Sequence, residues 1–283
     1  MKIIVISGAN GFIGSELVKH FNENGWIVRA LIHSNANPPI AGIAYYKYAL
    51  GDKIDERIFE KADCFIHCAY AKDSYKLNVS GTGQLLEMSK KCGIRKNIFI
   101  SSLSSKEDAL SVYGKQKWAC EKLFNQPDDL VLRLGMVLGN GGLFGQMKEY
   151  LKRRNRVPLI SGGTQPIQTI YIKDFIQAID TCIENNVAGT LSIASSEKLT
   201  YKEFYSLLCQ SLNTVAAFTS ISYSLLYSIL SVSETLGIKL PVSRENLLGL
   251  KKQSYVDTTS DIMKIGIKIK KCPESLSELA MKV

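Results

Sequence analysis

The 283-residue sequence contains only three histidines and seven prolines, and its cysteines show no spacing typical of a metal site. The seven cysteines form neither a CxxC pair nor a zinc-ligand pattern. They are Cys64, Cys68, Cys92, Cys120, Cys182, Cys209 and Cys272. Because the sequence also shows no signal peptide, we expect reduced, mostly buried thiols, no metal ion and a cytoplasmic location.

The sequence has no hydrophobic run that could span a membrane. Residues 207–233 carry no charged side chain, but Gln210, Asn213, Thr214 and many serines interrupt the apolar residues. We expect a strand followed by an amphipathic helix in this stretch. Docking of that helix on a membrane surface is the alternative.

Acidic residues are fewer than basic residues, 26 against 35, and the formal net charge is +9. This charge favours anionic partners. The basic residues are scattered and no nucleic-acid-binding module is recognisable. We therefore expect a phosphorylated small molecule as the partner, and no nucleic acid.

A glycine-rich turn at residues 8–14, GANGFIG, is the first feature that indicates a function. It follows the apolar run 1–7 and precedes apolar residues at helical spacing, as in the opening of a βαβ unit. We expect Gly8 to allow the tight turn, Gly11 to admit a pyrophosphate, and Gly14 to let the helix approach the strand. The spacing is GxxGxxG and not GxGxxG. Phosphate binding at the helix N-terminus is the prediction, and a structural turn is the alternative.

Apolar strands and amphipathic helices alternate over the first half of the chain. This alternation predicts an α/β fold, a doubly wound parallel sheet with helices on both faces. The further predicted strands are 26–32, 43–48, 62–69, 96–101 and 130–134, and the predicted helices are 55–61, 77–91 and 112–124.

The alternation is lost after about residue 139. A glycine turn at 139–142 and a basic run at 148–156 come first. A strand at 168–172, a helix at 173–183 and a strand at 189–194 then predict a return to the sheet. We expect residues 1–160 to form the nucleotide-binding domain, with 171–195 returning to it. Residues 161–283 would form most of a smaller, mainly helical substrate-binding part, across a cleft.

A serine-rich strand end and a Tyr-x-x-x-Lys spacing indicate the chemistry. Residues 101–105 read SSLSS, and Tyr113 and Lys117 lie four apart on a predicted helix, so they share a face. An ammonium near a phenol is expected to lower the pKa of Tyr113, and a nearby serine hydroxyl can hold a substrate oxygen. Together they would transfer a proton for an alcohol–ketone pair. A solvated helix face is the alternative.

Several segments together resemble the extended branch of the short-chain dehydrogenase/reductase superfamily, the NAD-dependent epimerase/dehydratase family. They are GANGFIG (8–14), Gly51-Asp52, HCAY (67–70), LNVSGTGQLLE (77–87), FISSLS (99–104), YGKQK (113–117) and VLRLGMVLGNGG (131–142). The resemblance implies a Rossmann sheet, Tyr113 as the acid/base, and Lys117 on the nicotinamide ribose. It implies Ser102, with Ser104 as a substitute, beside the reacting oxygen. The implied cofactor-binding residues are Gly8, Asn10, Gly11, Phe12, Ile13, Gly14, His33, Ser34, Asp52, Cys68, Ala69, Tyr70, Lys117, Gly135 and Met136.

Departures from the family pattern bear on the cofactor and the reaction. Where many NAD-preferring members end the second strand in an acidic residue, this chain has His33, Ser34 and Asn35, which favours NADP over NAD. NAD held by backbone contacts is the alternative. Leu103 and Ser104 stand where sugar dehydratases carry acidic residues, which argues against dehydration.

We therefore predict an NAD(P)-dependent 4-keto reductase or 4-epimerase of a nucleotide-activated sugar, with a homodimer left open. The alternatives are an NADP-binding redox sensor or scaffold without turnover, and a reductase of a non-sugar carbonyl. Arg133 is expected to be a paired structural residue. One basic cluster could attract a nucleotide diphosphate or form a solvated helix face; its residues are Lys152, Arg153, Arg154 and Arg156.

Overall fold

The computed structural model describes residues 1–34, 39–72, 74–237 and 243–281. The strands are β1 (Ile3–Ser7), β2 (Ile27–Ile32), β3 (Ala44–Lys47), β4 (Cys64–His67), β5 (Lys96–Ser102), β6 (Leu130–Leu134), β7 (Met136–Leu138), β8 (Arg156–Ile160), β9 (Pro166–Ile167), β10 (Thr169–Tyr171), β11 (Gly189–Ile193), β12 (Leu199–Thr200) and β13 (Ala217–Ile221). The α-helices are α1 (Phe12–Glu23), α2 (Tyr75–Lys91), α3 (Val112–Glu121), α4 (Gly142–Arg153), α5 (Ile172–Glu184), α6 (Tyr201–Ser211), α7 (Tyr223–Thr235), α8 (Arg244–Lys251), α9 (Thr259–Ile265) and α10 (Cys272–Ala280). Short 3₁₀ helices span Glu56–Ile58 and Ser161–Gly163.

In these ranges, seven strands form one parallel sheet in the order β3-β2-β1-β4-β5-β6-β11. The chain runs outward from β1 to β3, then crosses back to β4 on the other side of β1. The strand order therefore reverses between β1 and β4, and a crevice opens there at the carboxyl ends of the strands.

Alternate residues of β1 point into two separate hydrophobic clusters. Ile4 and Ile6 belong to the larger cluster, which includes helices α1 and α5, whereas Val5 belongs to a cluster on the opposite face with Leu85 of α2. Side chains of a strand alternate between faces, so both faces of the sheet are covered by helices. The predicted doubly wound α/β fold is confirmed.

Helix α4 forms where the sequence indicated a glycine turn and a basic run, with a solvated helix face as one interpretation of that run. Its buried side chains are Phe144, Met147, Lys148 and Leu151, which lie at helical spacing along one face. Two glycines and several basic residues hide this apolar stripe in the sequence. Lys152 and Arg153 pair with Glu149 on the exposed face, an arrangement typical of a solvated helix surface.

Strand β11 returns to the main sheet and pairs with β6, while the chain beyond it is mainly helical. The charge-free stretch 207–233 contains the end of α6, strand β13 and most of α7, close to the expected strand followed by a helix. Among the described residues, no helix combines the length and apolarity that crossing a membrane requires.

Candidate active site

The glycine turn lies directly against the end of β4. Gly8 has a left-handed backbone (φ +67°), and a Cβ atom there would lie 2.6 Å from the Ala69 nitrogen. A Cβ atom on Gly14 would lie only 2.2 Å from the Gly8 carbonyl oxygen. Neither contact is sterically tolerable, so both positions require glycine. The roles expected for these two glycines in the turn are therefore seen in the backbone.

Gly11 precedes α1 and leaves the N-terminus of the helix without a side-chain cap. It is the N-cap residue in an extended conformation (φ −74°, ψ 167°), and no described side chain caps the helix. Its missing Cβ would meet a single neighbour, the Gly8 carbonyl oxygen at 3.2 Å. The amides of Phe12 and Ile13 lie in the first turn of the helix, where amides have no partner within the helix, and we call this turn with Gly11 the cradle. This arrangement fits the diphosphate of a dinucleotide.

The end of β2 is tied to the glycine turn. Asn10 Nδ2 donates hydrogen bonds to the Ser34 hydroxyl at 2.8 Å and to the Ser34 carbonyl oxygen at 3.2 Å. His33 and Ser34 are both exposed, and neither is acidic. Asn35, the third residue of this group, lies outside the described residues. The position expected for a ribose-binding carboxylate therefore carries neutral polar side chains next to the turn.

The segment after β4 supplies another wall of the crevice. The Cys68 and Ala69 backbone lies against Gly8, and the Cys68 amide donates to the Ser7 carbonyl oxygen at 3.1 Å. Asp52, in contrast, closes its own turn, with its carboxylate accepting from the Ala49 amide at 2.8 Å. Asp52 forms hydrogen bonds with Ala49, three residues away, so its position near an adenine stays a prediction.

Gly135 and Met136 lie at the bend between β6 and β7. The Met136 amide donates to the Gln168 carbonyl oxygen at 2.8 Å, and a Cβ on Gly135 would lie 2.6 Å from that same oxygen. The Leu103 amide donates to the Leu134 carbonyl oxygen at 3.0 Å. This bond joins the serine-rich loop to the bend. The two segments expected around a nicotinamide ring are therefore adjacent.

Ser102 and Tyr113 come together from opposite ends of a loop. The Ser102 side chain lies close enough to the Tyr113 hydroxyl to influence its pKa, and the Ser102 oxygen accepts the Ser104 amide at 3.1 Å. The Tyr113 side chain as a whole is 37% exposed, but its hydroxyl end is surrounded by protein atoms. Burial raises the pKa of Tyr113, and the hydrogen bond from Ser102 lowers it by less. Ser104, the suggested substitute, is exposed and contributes its backbone.

Lys117 lies one turn further along α3 and is only 7% exposed. Its ammonium donates to the Ile100 carbonyl oxygen at 2.7 Å and lies 5.9 Å from the centre of the Tyr113 ring. Burial lowers the pKa of Lys117 to about 8, while the thiols of Cys120 and Cys68 oppose this shift. The pKa of Tyr113 was expected to be lowered by Lys117. This expectation was wrong, because burial of the phenol raises the pKa.

A buried histidine network below this site was not expected from the sequence, although His67 belongs to the HCAY segment. His67 Nδ1 lies 2.6 Å from the Ser7 hydroxyl, and Nε2 lies 2.8 Å from the Thr82 hydroxyl. Thr82 donates to the Asn78 carbonyl oxygen at 2.6 Å, so its oxygen is free to accept from Nε2. Burial, with the charge of Lys117, lowers the pKa of His67 to about 3, so the ring is neutral.

Tyr70 adds a second phenol beside Tyr113. The two rings meet edge to face with centroids 5.3 Å apart, and the Lys117 ammonium lies 6.0 Å from the Tyr70 centroid. Asn78 holds the following loop by accepting from the Ala71 amide at 2.8 Å. The loop that contains Tyr70 is therefore held by Asn78, and it places the Tyr70 ring next to Tyr113.

Arg133 is a paired structural residue, as expected. Its guanidinium contacts the Glu121 carboxylate at 2.6 Å, and Ser101 donates to the same carboxylate at 2.5 Å. In the described parts of the chain, no three His, Cys, Asp or Glu side chains cluster in a way that could hold a metal ion. The seven cysteines are free thiols.

Taken together, the crevice combines a glycine turn at a helix N-terminus, two neighbouring hydroxyls and a buried amine. The hydroxyls of Ser102 and Tyr113 can both approach one substrate oxygen, and Tyr113 can exchange a proton with it. The glycine turn lies at the same edge of the sheet. It follows β1, Ser102 ends β5, and the end of β4 with Ala69 lies between them. Such an arrangement suits chemistry at a carbon bearing an alcohol or ketone, next to a bound dinucleotide.

The solved structures that share this architecture include two epimerases of sugar nucleotides. One is a UDP-glucose 4-epimerase from Thermotoga maritima with UDP-glucose, which aligns with a TM-score of 0.75 and 20% identity over 99% of this chain and 97% of that one. The other is a UDP-N-acetylglucosamine 4-epimerase from Bacillus cereus, with a TM-score of 0.73 and 16% identity over 100% and 99%. At these identities the likeness shows the fold.

Among curated proteins, a ceramide reductase from Caulobacter vibrioides is 25% identical over 209 residues, 68% of this chain. The match spans 64% of that protein's length, so the chain covers less than two thirds of this relative. A family model described as "NAD dependent epimerase/dehydratase family" matches residues 4–194. Because this match takes in more than half of its residues, the chain belongs to the NAD dependent epimerase/dehydratase family, an NAD(P)-using family of the extended short-chain dehydrogenase/reductase type.

Proposed function

We propose that this chain reduces or epimerises a nucleotide-activated sugar at one carbon, with an NAD(P) cofactor and Tyr113 as the acid/base. The observation that carries the proposal is the convergence of the Ser102 and Tyr113 side chains beside buried Lys117, at the sheet edge that carries the glycine turn. A scaffold that only bound a dinucleotide would not need this convergent set.

The residues around the crevice fit a dinucleotide. The amides that follow Gly11 would bind the diphosphate, the turn containing Asn10 and Ser34 would meet the adenosine ribose, and Lys117 would bind the nicotinamide ribose. When bound, the cofactor supplies or accepts a hydride. We propose NADP in preference to NAD, because His33 and Ser34 present no carboxylate to repel a 2′-phosphate.

The proton transfer falls to Tyr113, with Ser102 holding the substrate oxygen. The Ser102 oxygen accepts the Ser104 amide, which leaves its own hydrogen free to donate. Because burial raises the pKa of Tyr113, the phenol keeps its proton near neutral pH. A protonated phenol is the form that donates to a ketone oxygen during reduction, and this favours the reductive direction.

A nucleotide sugar is the proposed substrate for two reasons. The fold is shared with epimerases whose substrates are nucleotide sugars, and the chain carries a net positive charge that attracts a diphosphate. Leu103 follows Ser102 directly, so no carboxylic acid stands there to assist elimination of water. The substrate would lie between this edge and the C-terminal part, residues 161–283.

A reductase of a non-sugar carbonyl is the second candidate. It is supported by the 25% identity with a ceramide reductase over 68% of the chain. Both candidates use the same hydroxyl pair, and they differ in whether a nucleotide moiety contributes to binding.

The test compares Tyr113→Phe with Tyr150→Phe, since both tyrosines are 37% exposed and only Tyr113 contacts Ser102. UDP-glucose, UDP-galactose, their N-acetyl analogues and dTDP-4-keto sugars would be offered with NAD, NADH, NADP or NADPH. Tyr113→Phe should abolish turnover and keep dinucleotide binding, while Tyr150→Phe behaves as wild type. UDP or dTDP should raise the Tm. No stabilisation by either nucleotide, with turnover of a lipid ketone, would favour the second candidate.

A further inference from the structure

A carboxylate from the C-terminal part contacts the first turn of the helix that carries Tyr113. Glu245 Oε2, on α8, accepts the Val112 amide of α3 at 2.6 Å. Val112 is the first residue of α3 and directly precedes Tyr113. The two residues are 133 positions apart in the chain.

This contact adds a second acceptor at the start of α3. The Ser111 hydroxyl accepts the Gly114 amide at 3.1 Å, and Glu245 takes the Val112 amide that Ser111 leaves open. The first amides of a helix have no partner within the helix, so an external acceptor fixes the turn they belong to. A negative charge at this end also complements the helix dipole.

Helix α8 is held so that Glu245 keeps this position. Ser243 and Asn246 form a reciprocal cap at its start, and the Arg244 amide donates to Glu234 of α7 at 3.0 Å. A Cβ on Gly249, one turn further along, would lie 3.8 Å from Ser111. Glu245 is therefore carried by a helix that has its own caps and passes within van der Waals distance of the start of α3.

Two further contacts join the C-terminal part to the loop between Ser102 and Tyr113. Lys106 donates to the Ser254 hydroxyl at 2.7 Å, and Lys252 pairs with Asp108 at 2.5 Å. Both partners from the C-terminal part lie just beyond α8. The loop that sets the distance between the two hydroxyls is thus held from outside the dinucleotide-binding sheet.

We propose that Glu245 is a positioning residue for Tyr113: its carboxylate caps α3 and holds the tyrosine hydroxyl in place beside Ser102. This inference rests on the proposed role of Tyr113 in proton transfer. The C-terminal part then has a second role besides binding substrate, because the docking of α8 fixes the position of Tyr113 relative to Ser102.

The test follows Tyr113 directly by ¹⁹F NMR of protein labelled with 3-fluorotyrosine. The resonance that disappears in Tyr113→Phe identifies Tyr113. Glu245→Ala should shift or broaden this resonance, and Glu245→Gln, whose side-chain oxygen can still accept the Val112 amide, should restore it. Glu203→Ala is the matched control, because Glu203 also completes a helix cap, at Thr200 of α6, far along the chain from Tyr113.

A lower Tm without a change in the Tyr113 resonance, in both Glu245→Ala and Glu203→Ala, would overturn the proposal and leave Glu245 as a structural cap. If Glu245→Ala does not fold, Glu245→Asp replaces it. Its carboxylate is one methylene shorter and should lose the amide contact, so an unchanged Tyr113 resonance in that variant would also overturn the proposal.

Turnover of a sugar nucleotide gives the second readout. Glu245→Ala should lower kcat by about ten- to hundredfold, as expected for a small displacement of a reacting group, with KM for the dinucleotide unchanged. Glu245→Gln should recover most of the loss. If no nucleotide sugar is turned over by the wild type, the proposed function fails while the ¹⁹F measurement still decides the role of Glu245.

Discussion

The Lys117 ammonium donates a hydrogen bond to the Ile100 carbonyl oxygen at 2.7 Å, so the amine is anchored to strand β5 behind Tyr113. It also lies 4.7 Å from the centre of the Phe99 ring. These contacts hold a cation in a largely apolar setting, and its burial lowers the pKa to about 8. The charge of this amine therefore changes close to neutral pH.

Lys117→Met should alter the alkaline dependence of stability. Between a pH of about 8 and 10.5, the unfolded chain binds a proton at Lys117 that the folded chain has released. The free energy of unfolding of the wild type should therefore rise with pH relative to the variant, by up to about 1.4 kcal/mol per pH unit. Urea unfolding across this window measures the difference. Exposed Lys115→Met is the control, and an equal slope in wild type and Lys117→Met would contradict the assignment.

His67→Asn should make the protein less sensitive to acid. The folded pKa of His67 is lowered from 6.5 to about 3, so the unfolded chain takes up a proton in this window and the folded chain does not. Wild-type stability should fall as pH falls from 6.5 towards 3, more steeply than that of the variant. At neutral pH the variant should be less stable by about 1–3 kcal/mol, because it loses buried hydrogen bonds. Parallel acid-unfolding curves would refute this.

Substitutions at two glycines should separate folding from cofactor binding. Gly14→Ala places a Cβ 2.2 Å from the Gly8 carbonyl oxygen and should cost about 3 kcal/mol of stability. Gly11→Ala meets that oxygen at 3.2 Å, so the fold should tolerate it. It should nevertheless weaken NADPH binding, since the new methyl group narrows the cradle. The Tm and the enhancement of NADPH fluorescence measure the two effects, and unchanged NADPH affinity in Gly11→Ala would exclude this cradle as the phosphate site.

Ser34→Asp should discriminate between the two dinucleotides. A carboxylate at this position repels a 2′-phosphate but can accept from a ribose diol. NADPH affinity should fall at least tenfold, about 1.4 kcal/mol, while NADH affinity is kept or increased. Ser34→Ala is the control, because it removes the hydrogen bond between Asn10 and the Ser34 hydroxyl without adding charge. Equal losses for both cofactors would argue against a 2′-phosphate near Ser34.

Much of the fold was predictable from local patterns. The apolar run 1–7 and the periodicity that follows the glycine turn predict β1 and the start of α1, and the structure has β1 at Ile3–Ser7 and α1 beginning at Phe12. The start of helix α4 was not predicted, because its apolar residues, from Phe144 to Leu151, begin beside glycines and lie among basic residues. The pairing of Arg133 was expected, but its partner Glu121 was not identified.

The sequence by itself determined the features that depend on residues close together in the chain. These are the strand, turn and helix around Gly8–Gly14 and the helix face that Tyr113 and Lys117 share. Backbone geometry alone relates residues that are a few positions apart. Only the tertiary structure decided the approach of Ser102 to Tyr113, the hydrogen bond of Lys117 to Ile100 and the contact of Glu245 with the start of α3. These contacts depend on the order of the strands in the sheet and on the docking of α8. The periodicity of apolar residues along the sequence does not specify either of them. The direction of the Tyr113 pKa shift belongs with them, because burial of the phenol raises its pKa and burial depends on how the elements pack.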